Sequence, residues 1–522
     1  MTEFPPYFPK RFPQDRLDIA PLLFEGLRSV DGRCILACEG REVTGAELGA
    51  RAATLQASLA ARGLKAGDRV AVMLSNSLDH IALLYALFLS GIVWVPVNVR
   101  LRGAALAYVL EHSRPALLVF DEEFEEAVAC LAAASPCRLD DLAPTVSSDG
   151  VAALRVRLET APSDTLCIIY TSGTTGPPKG VMFTHRMMRI AGEAVLRVAA
   201  IGDGDRAFLW EPLCHIGGAQ MLMVPFLAGA QLHVVKRFSS RLFRGQWQSA
   251  RATHFHYLGG VLDLLMRLPD SDTQPPPSIR VAWGAGASAL SWAGIRDRFG
   301  CELRECYGMT ECSSFATLNE SGTPGSIGAP LPWMRIDLLD DAGQAVAAGE
   351  IGEIVLSSDL EGVFLPGYLD NPEATAKVIR DGRLHTGDMA RELPGGEFAF
   401  VGRRTDSMRV RGENVSAWEV ERVFARHPCI EAVAAVGVPG EIGEQDILLY
   451  VQFKDGRCAI WSELAEWARP RLAAFQLPRY YAVVERFELT PSERIRKHLL
   501  PRTAQGAWDR AAIDTRQRGE RS

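Results

Sequence analysis

The stretch LCIIYTSGTTGPPKG, residues 166–180, decides how this 522-residue chain is read. Leu166–Tyr170 is an unbroken apolar run of strand length. It leads into Thr171, Ser172, Gly173, Thr174, Thr175 and Gly176, then two prolines, Lys179 and Gly180, with a helix expected after His185. Glycines let backbone N–H groups approach an anion, the hydroxyls add donors, and Lys179 adds charge. Chemically this is a phosphate cradle. It is not a Walker loop, because no Gly-Lys-Ser/Thr occurs in it.

N-terminal to the loop, helix and strand patterns alternate. Thr44 with Glu47 three residues on forms a capping box ahead of an amphipathic helix reaching Arg62. Apolar strands follow at Arg69–Leu74, Ile92–Val97 and Ala116–Phe120, with helices from about Asn76 or Ser77 and around Gly103–Ser113. This alternation predicts parallel sheets covered on both faces. Ile81–Val97 is nearly free of polar groups but short for a membrane span, and Gly91 divides it. It reads as a buried helix followed by a buried strand. C-terminal to the loop, strands are expected at Ala207–Trp210, Gln231–Val235, His254–Leu258 and Ser278–Trp283. From about Ile336, short alternating runs with Gly-containing turns predict an antiparallel β subdomain. A small α+β unit begins near Arg403. The expected organisation is an α/β fold. A large N-terminal domain of doubly wound sheets plus a β subdomain covers 1–405. A small mobile α+β C-terminal domain covers 406–502, and 503–522 form a flexible tail.

The formal net charge of −7 comes with no block of like charges, which speaks against a nucleic-acid partner. The eleven cysteines are scattered without a Cys-x-x-Cys pair, so neither a zinc site nor a disulfide framework is expected. The N-terminus lacks an apolar signal region. A cytoplasmic protein without integral membrane association is the expectation.

YTSGTTGPPKGV resembles the signature loop of adenylate-forming enzymes: acyl-CoA synthetases, aryl-CoA ligases, luciferases and peptide-synthetase adenylation domains. Further blocks agree in order, and the resemblance runs from about residue 15 to 501. Gly284, Ala285, Gly286 and Ala287 follow one strand. Glu305, Cys306, Tyr307, Gly308, Met309, Thr310 and Glu311 end and follow the next. Both lie where α/β sheets bind ligands. The resemblance implies that the first block contacts adenine and walls the acyl pocket. It implies that Tyr307 stacks on adenine, Thr310 contacts the α-phosphate, and Glu311 holds Mg²⁺ together with Thr175. Asp388 matches the aspartate that accepts the ribose hydroxyls, and Arg403 the ribose-contacting arginine. Asp406 matches the hinge between domains. Arg409 lies on the segment that joins the domains, and Gly412 on the loop presented to the pantetheine tunnel.

One position departs from the pattern. The family's C-terminal catalytic lysine is replaced here by Arg494, with Lys497 matching the second basic position. Arginine keeps the charge but is bulkier and planar, so the exchange is not conservative. Either Arg494 serves, or Lys497 reaches in, or the first half-reaction is slow or lost. His215, in the run WEPLCHIGG (210–218), is a candidate for the acyl-pocket wall and for catalysis. His254 and His256 read as structural and are expected on opposite faces of their strand, with His256 the better candidate for lining a site. The run Phe238–Trp247 weakly resembles the crotonobetaine/carnitine–CoA ligase branch. A quaternary ammonium would need an aromatic or acidic box, for which Trp210, Glu211 and Trp283 are candidates.

The resemblance implies an acid–CoA ligase that uses ATP, Mg²⁺ and coenzyme A on a small-molecule carboxylic acid, through an acyl-adenylate. The alternatives are an adenylation enzyme loading a carrier protein, a luciferase-like oxygenase, or a non-catalytic nucleotide-binding protein. The acid and the oligomeric state are left open, a homodimer included.

Overall fold

The computed structural model describes residues 4–12, 14–29, 32–129, 135–142, 150–157, 161–171, 177–266, 278–287, 289–404, 407–410, 413–440, 445–472, 474–489 and 495–512. Ser172, Gly173, Thr174, Thr175, Gly176, Asp406, Gly412 and Arg494 lie outside the described residues.

The expected alternation builds two large sheets. One has the strand order Ser135–Arg138, Leu117–Phe120, Arg69–Met73, Val93–Pro96, Thr165–Thr171, Lys179–Thr184. All its pairs are parallel except the last. The other runs Glu302–Glu305, Val281–Ala285, His254–Leu258, Arg206–Leu209, Gln231–Val234, Cys34–Cys38, Arg41–Thr44. It too is parallel apart from its last pair. Parallel strands need covered faces, and the helices supply the cover. Helix Leu78–Ser90 starts at the Ser77 cap, ends on left-handed Gly91, and is buried without interruption from His80 to Leu89. It is apolar on all sides because it is packed on all sides. Its 13 residues span only about 20 Å, and among the described residues no helix is long and apolar enough to cross a membrane.

The helix expected after His185 is present as His185–Ala199, capped by Thr184, and a strand that the sequence reading did not mark precedes it: Lys179–Thr184 doubles back antiparallel on Thr165–Thr171. Lys179 therefore stands at the start of a strand and not at a helix N-terminus, so a phosphate beside it would meet its charge rather than a helix dipole. The expected flexible tail needs correction. Trp508–Asp509 pairs antiparallel with Tyr480–Val483, and the Trp508 ring lies 5.3 Å from that of Tyr481.

A five-stranded unit with antiparallel pairing follows the large sheets: Arg335–Leu339, Ile351–Ser357, Ile379–Arg380, Arg383–Leu393 and Glu397–Arg403. The last unit wraps helices Ala417–Phe424 and Trp461–Ala468 onto the sheet Ile430–Pro439, Gln445–Phe453, Tyr480–Val483, Trp508–Asp509. It has its own core around Phe424, Leu449 and Tyr481.

A buried ion cluster fixes the N-terminal segment to helix His185–Ala199. The Arg189 guanidinium donates to both Asp15 oxygens at 3.2 and 3.0 Å and to Glu193 at 3.1 Å, while Arg11 reaches Glu193 at 2.9 Å. Arg189 and Asp15 side chains are fully buried. Removing one member of such a cluster leaves buried charge unpaired. Arg189→Ala is therefore expected to destabilise this part of the fold by about 3–5 kcal/mol, read as an earlier urea transition. The companion exchange Arg11→Ala, at a partly exposed position, should cost less. Equal effects would contradict the cluster's assigned weight.

Candidate active site

Three parallel strands, His254–Leu258, Val281–Ala285 and Glu302–Glu305, end side by side, and two of the recognised blocks are the loops that leave them. The glycines in these loops are required by close backbone packing. A Cβ on Gly284 would lie 1.9 Å from the Tyr257 carbonyl oxygen, and one on Gly308 would lie 1.8 Å from that of Ser314. No side chain fits at either position.

The first polar group joins two sheets. The Tyr307 phenol donates to Asp388 Oδ2 at 2.8 Å, and Arg403 Nε stands 3.3 Å from Asp388 Oδ1. Asp388 and Arg403 face each other across an antiparallel pair, which sets this distance. Asp388 is buried and Arg403 about one third exposed, so the cluster opens on the arginine side.

The second group surrounds Glu311, which sits in the short turn Thr310–Cys312 and is buried. Tyr368 donates its phenol proton to Glu311 Oε1 at 2.9 Å, and the Lys179 ammonium lies 5.2 Å from the centre of the Tyr368 ring. Burial pushes the Glu311 carboxyl above its ordinary range, opposed by the Tyr368 hydrogen bond and by Arg403 and Lys179. A buried carboxylate with its charge only partly compensated suits a hard cation that shares it with phosphate oxygens. Among the described residues no group of three or more acidic, histidine or cysteine side chains could hold a metal alone. An ion here would thus need its ligand's oxygens as well. Tyr368 was not singled out in the sequence. The chain segment Leu365-Pro-Gly-Tyr368 carries no chemical signal until the fold sets it against Glu311.

Glu305 holds the loop between these groups. Its carboxylate accepts from the Tyr257 phenol at 2.6 Å and from the backbone amides of Gly286 and Ala287. Those amides are therefore already bonded within the protein. Gly284 is likewise engaged, its carbonyl accepting from the Cys306 amide at 2.7 Å.

Beyond the strand ends, His215 caps the short helix Ile216–Ala219, and its Nε2 is 3.2 Å from Asn98 Nδ2. Cys214, together with Glu211, raises its basicity against the opposing effect of burial. His254 and His256 share a face, as residues two apart on a strand must. This corrects the expectation that they diverge. His256 stacks 4.3 Å from Trp283 and lies 2.8 Å from Glu211. Trp210 and Trp283 do not form one box. Trp210 packs on Phe238 in the core behind the sheet and donates its Nε1 proton to the His256 carbonyl, whereas Trp283 faces Phe315.

In the C-terminal unit, Lys497 pairs with Glu421 at 2.8 Å. Arg409 lies on strand Ser407–Val410. Phe400 and Trp418 bring the two parts of the chain together at 6.1 Å between ring centres.

Residues 27–369 match the model of the AMP-binding enzyme family. The chain belongs to that family. Residues 419–494 match the C-terminal domain of the AMP-binding enzymes. Crotonobetaine/carnitine–CoA ligases of Escherichia fergusonii and Shigella dysenteriae serotype 1 are 32% and 31% identical, each over 81% of this chain and 86% of the relative. The o-succinylbenzoate CoA synthetase (MenE) of Bacillus subtilis with its acyl-adenylate intermediate OSB-AMP superposes with a TM-score of 0.84. It is 25% identical, over 92% of this chain and 98% of that one. The anthranilate CoA ligase AuaEII with anthranoyl-AMP gives a TM-score of 0.84 at 21% identity, over 94% and 97% of the two chains, and shows the shared fold. This AMP-binding enzyme is thus of the adenylate-forming ligase kind, with relatives named as CoA ligases.

Burial raises the Glu305 carboxyl of this AMP-binding enzyme from its ordinary 4.5 to about 7. Between those values the folded protein holds a proton that the unfolded chain has lost. The associated stability is fully present below the lower value and is lost as pH rises through the upper one. Glu305→Gln cannot titrate. The difference in Tm between the two proteins should therefore move in the variant's favour from pH 5 to pH 8. A difference that stays flat across that range would contradict the assignment.

Proposed function

We propose that the chain is an AMP-forming acid–CoA ligase. The observation that carries the proposal is the convergence of Tyr307–Asp388–Arg403 and Glu311–Tyr368–Lys179 at the open ends of parallel strands. One cluster suits a ribose diol and the other a polyphosphate with its cation. A carboxylate oxygen of the acid attacks the α-phosphorus of ATP, the bond to the β-phosphate oxygen breaks, and pyrophosphate leaves. Lys179 and the loop from Thr171 through Ser172, Gly173, Thr174, Thr175 and Gly176 neutralise the leaving group. Mg²⁺, held by Glu311 and Thr175, would withdraw charge from the phosphate oxygens. Thr310 contacts the α-phosphate, and Asp388 and Arg403 hold the ribose. The adenine lies against Tyr307 and the backbone from Gly284 to Ala287, in the pocket continued by Glu305, Cys306, Gly308 and Met309. His215 walls the acyl side.

Arg494 supplies positive charge where the carboxylate meets the α-phosphate, as charge redistributes in the transition state. The Lys497–Glu421 pair favours Arg494 over Lys497 for this role. In the second step the CoA thiolate attacks the acyl carbon and the acyl–phosphate bond breaks, releasing AMP. The small domain rotates about Asp406 between the steps, bringing Arg409 and Gly412 to the CoA side. Protein groups mainly position and neutralise, since the adenylate is already the activated species.

The test is pyrophosphate release with ATP, Mg²⁺ and a panel of carboxylic acids, with and without CoA. At least one acid should drive release, CoA should raise turnover, and Arg494→Ala should slow the first step by ~100-fold. ATP binding without pyrophosphate from any acid would favour a nucleotide-binding protein instead. The Tyr368 phenol orients the Glu311 carboxylate. Tyr368→Phe should accordingly raise the Mg²⁺ concentration for half-maximal turnover by ~10-fold while the KM of the acid stays within error. An unchanged Mg²⁺ requirement would remove Tyr368 from this role.

A further inference from the structure

Glu211 and His256 form a buried polar pair where the acyl group would lie. Glu211 Oε2 and His256 Nδ1 are 2.8 Å apart, with side chains 8% and 10% exposed. The two atoms face each other but lie off the line of a hydrogen bond, and neither has another partner among the described residues. The second atoms of the pair, Glu211 Oε1 and His256 Nε2, also receive no hydrogen bond from any described residue. Two titratable side chains at this depth normally have all their polar atoms bonded. This pair keeps capacity for a further polar group.

The surroundings are shaped around the carboxylate. A Cβ on Gly217 would sit 2.6 Å from Glu211 Oε1, so the glycine gives the carboxylate the room it takes. The Asn76 amide donates to the Glu211 carbonyl at 2.7 Å and fixes the backbone from the other sheet. Trp283, against His256, provides a flat apolar wall. Gly217 lies two residues past His215, in the short helix Ile216–Ala219.

We propose that Glu211 and His256 read a hydroxyl on the tail of the acid substrate. The proposal rests on the ligase reading above. A hydroxyl can donate its one proton to Glu211 Oε1 while accepting from His256 Nε2–H, or donate it to Nε2 when that nitrogen carries no proton. A plain alkyl or aryl tail leaves both atoms desolvated and unbonded. A quaternary ammonium has no N–H to give. It would meet a carboxylate already facing an imidazole, and only one of the two tryptophans, because Trp210 is turned into the rear core.

The experiment measures kcat/KM for pyrophosphate release by the full chain on matched acids. These are butanoate, 3- and 4-hydroxybutanoate and 4-(trimethylammonio)butanoate, then benzoate with 3- and 4-hydroxybenzoate. In at least one series a hydroxylated member should exceed its parent by at least ~10-fold. Gly217→Ala, which pushes on the carboxylate without removing it, and Glu211→Leu should each bring that ratio to within about threefold. Retention of the ATP-induced thermal shift shows that either variant is folded. Equal kcat/KM for every hydroxylated acid and its parent overturns the proposal while leaving the ligase reading intact. So does a preference for the trimethylammonium acid, or a ratio that survives in both folded variants. No pyrophosphate from any acid overturns the ligase reading and this inference with it.

Discussion

The hydrogen bond from Tyr307 to Asp388 is the interaction on which the site depends. Tyr307 leaves a strand end of the seven-stranded sheet, and Asp388 belongs to the five-stranded unit. The phenol–carboxylate contact sets one unit's strand ends against the flank of the other. Arg403 then needs no separate placement, since its register opposite Asp388 is given by the same antiparallel pair.

The same junction explains how the charges are distributed. Glu311 and Glu305 are both buried, yet their surroundings give them different work. Glu305 is bonded on both oxygens by a phenol and two amides, and so it holds the loop. Glu311 has one phenol on one oxygen and cations farther away, which leaves it the capacity to share an ion. Burial alone does not distinguish them. The count of donors around each carboxylate does.

Glu211, His256 and Gly217 are arranged jointly, from a strand end, the neighbouring strand and a helix start, and would line the acyl side under the proposed function. Trp210, adjacent in sequence to Glu211, packs in the core behind these strand ends.

Much of the fold was legible from the chain itself. Capping signals and apolar runs located helix Gly45–Ala61 behind its Thr44–Glu47 box, the buried helix Leu78–Ser90 and the strands around it, because these depend on local hydrogen bonds and side-chain period. The motif blocks marked the strand-end loops for a similar reason: Gly284 and Gly308 can be nothing else against a backbone under 2 Å from a Cβ. Three things were decided only in three dimensions. Lys179–Thr184 became a strand, since its partner Thr165–Thr171 was available to pair. Tyr368 joined Glu311, and Trp508 joined Tyr481, across 57 residues of sequence in the first case. Trp210 and Trp283 parted onto opposite sides of a sheet. Sequence records which side chains can bond or pack, through local period and chemistry; which of them meet is set by strand pairing between distant segments, and local pattern does not encode that.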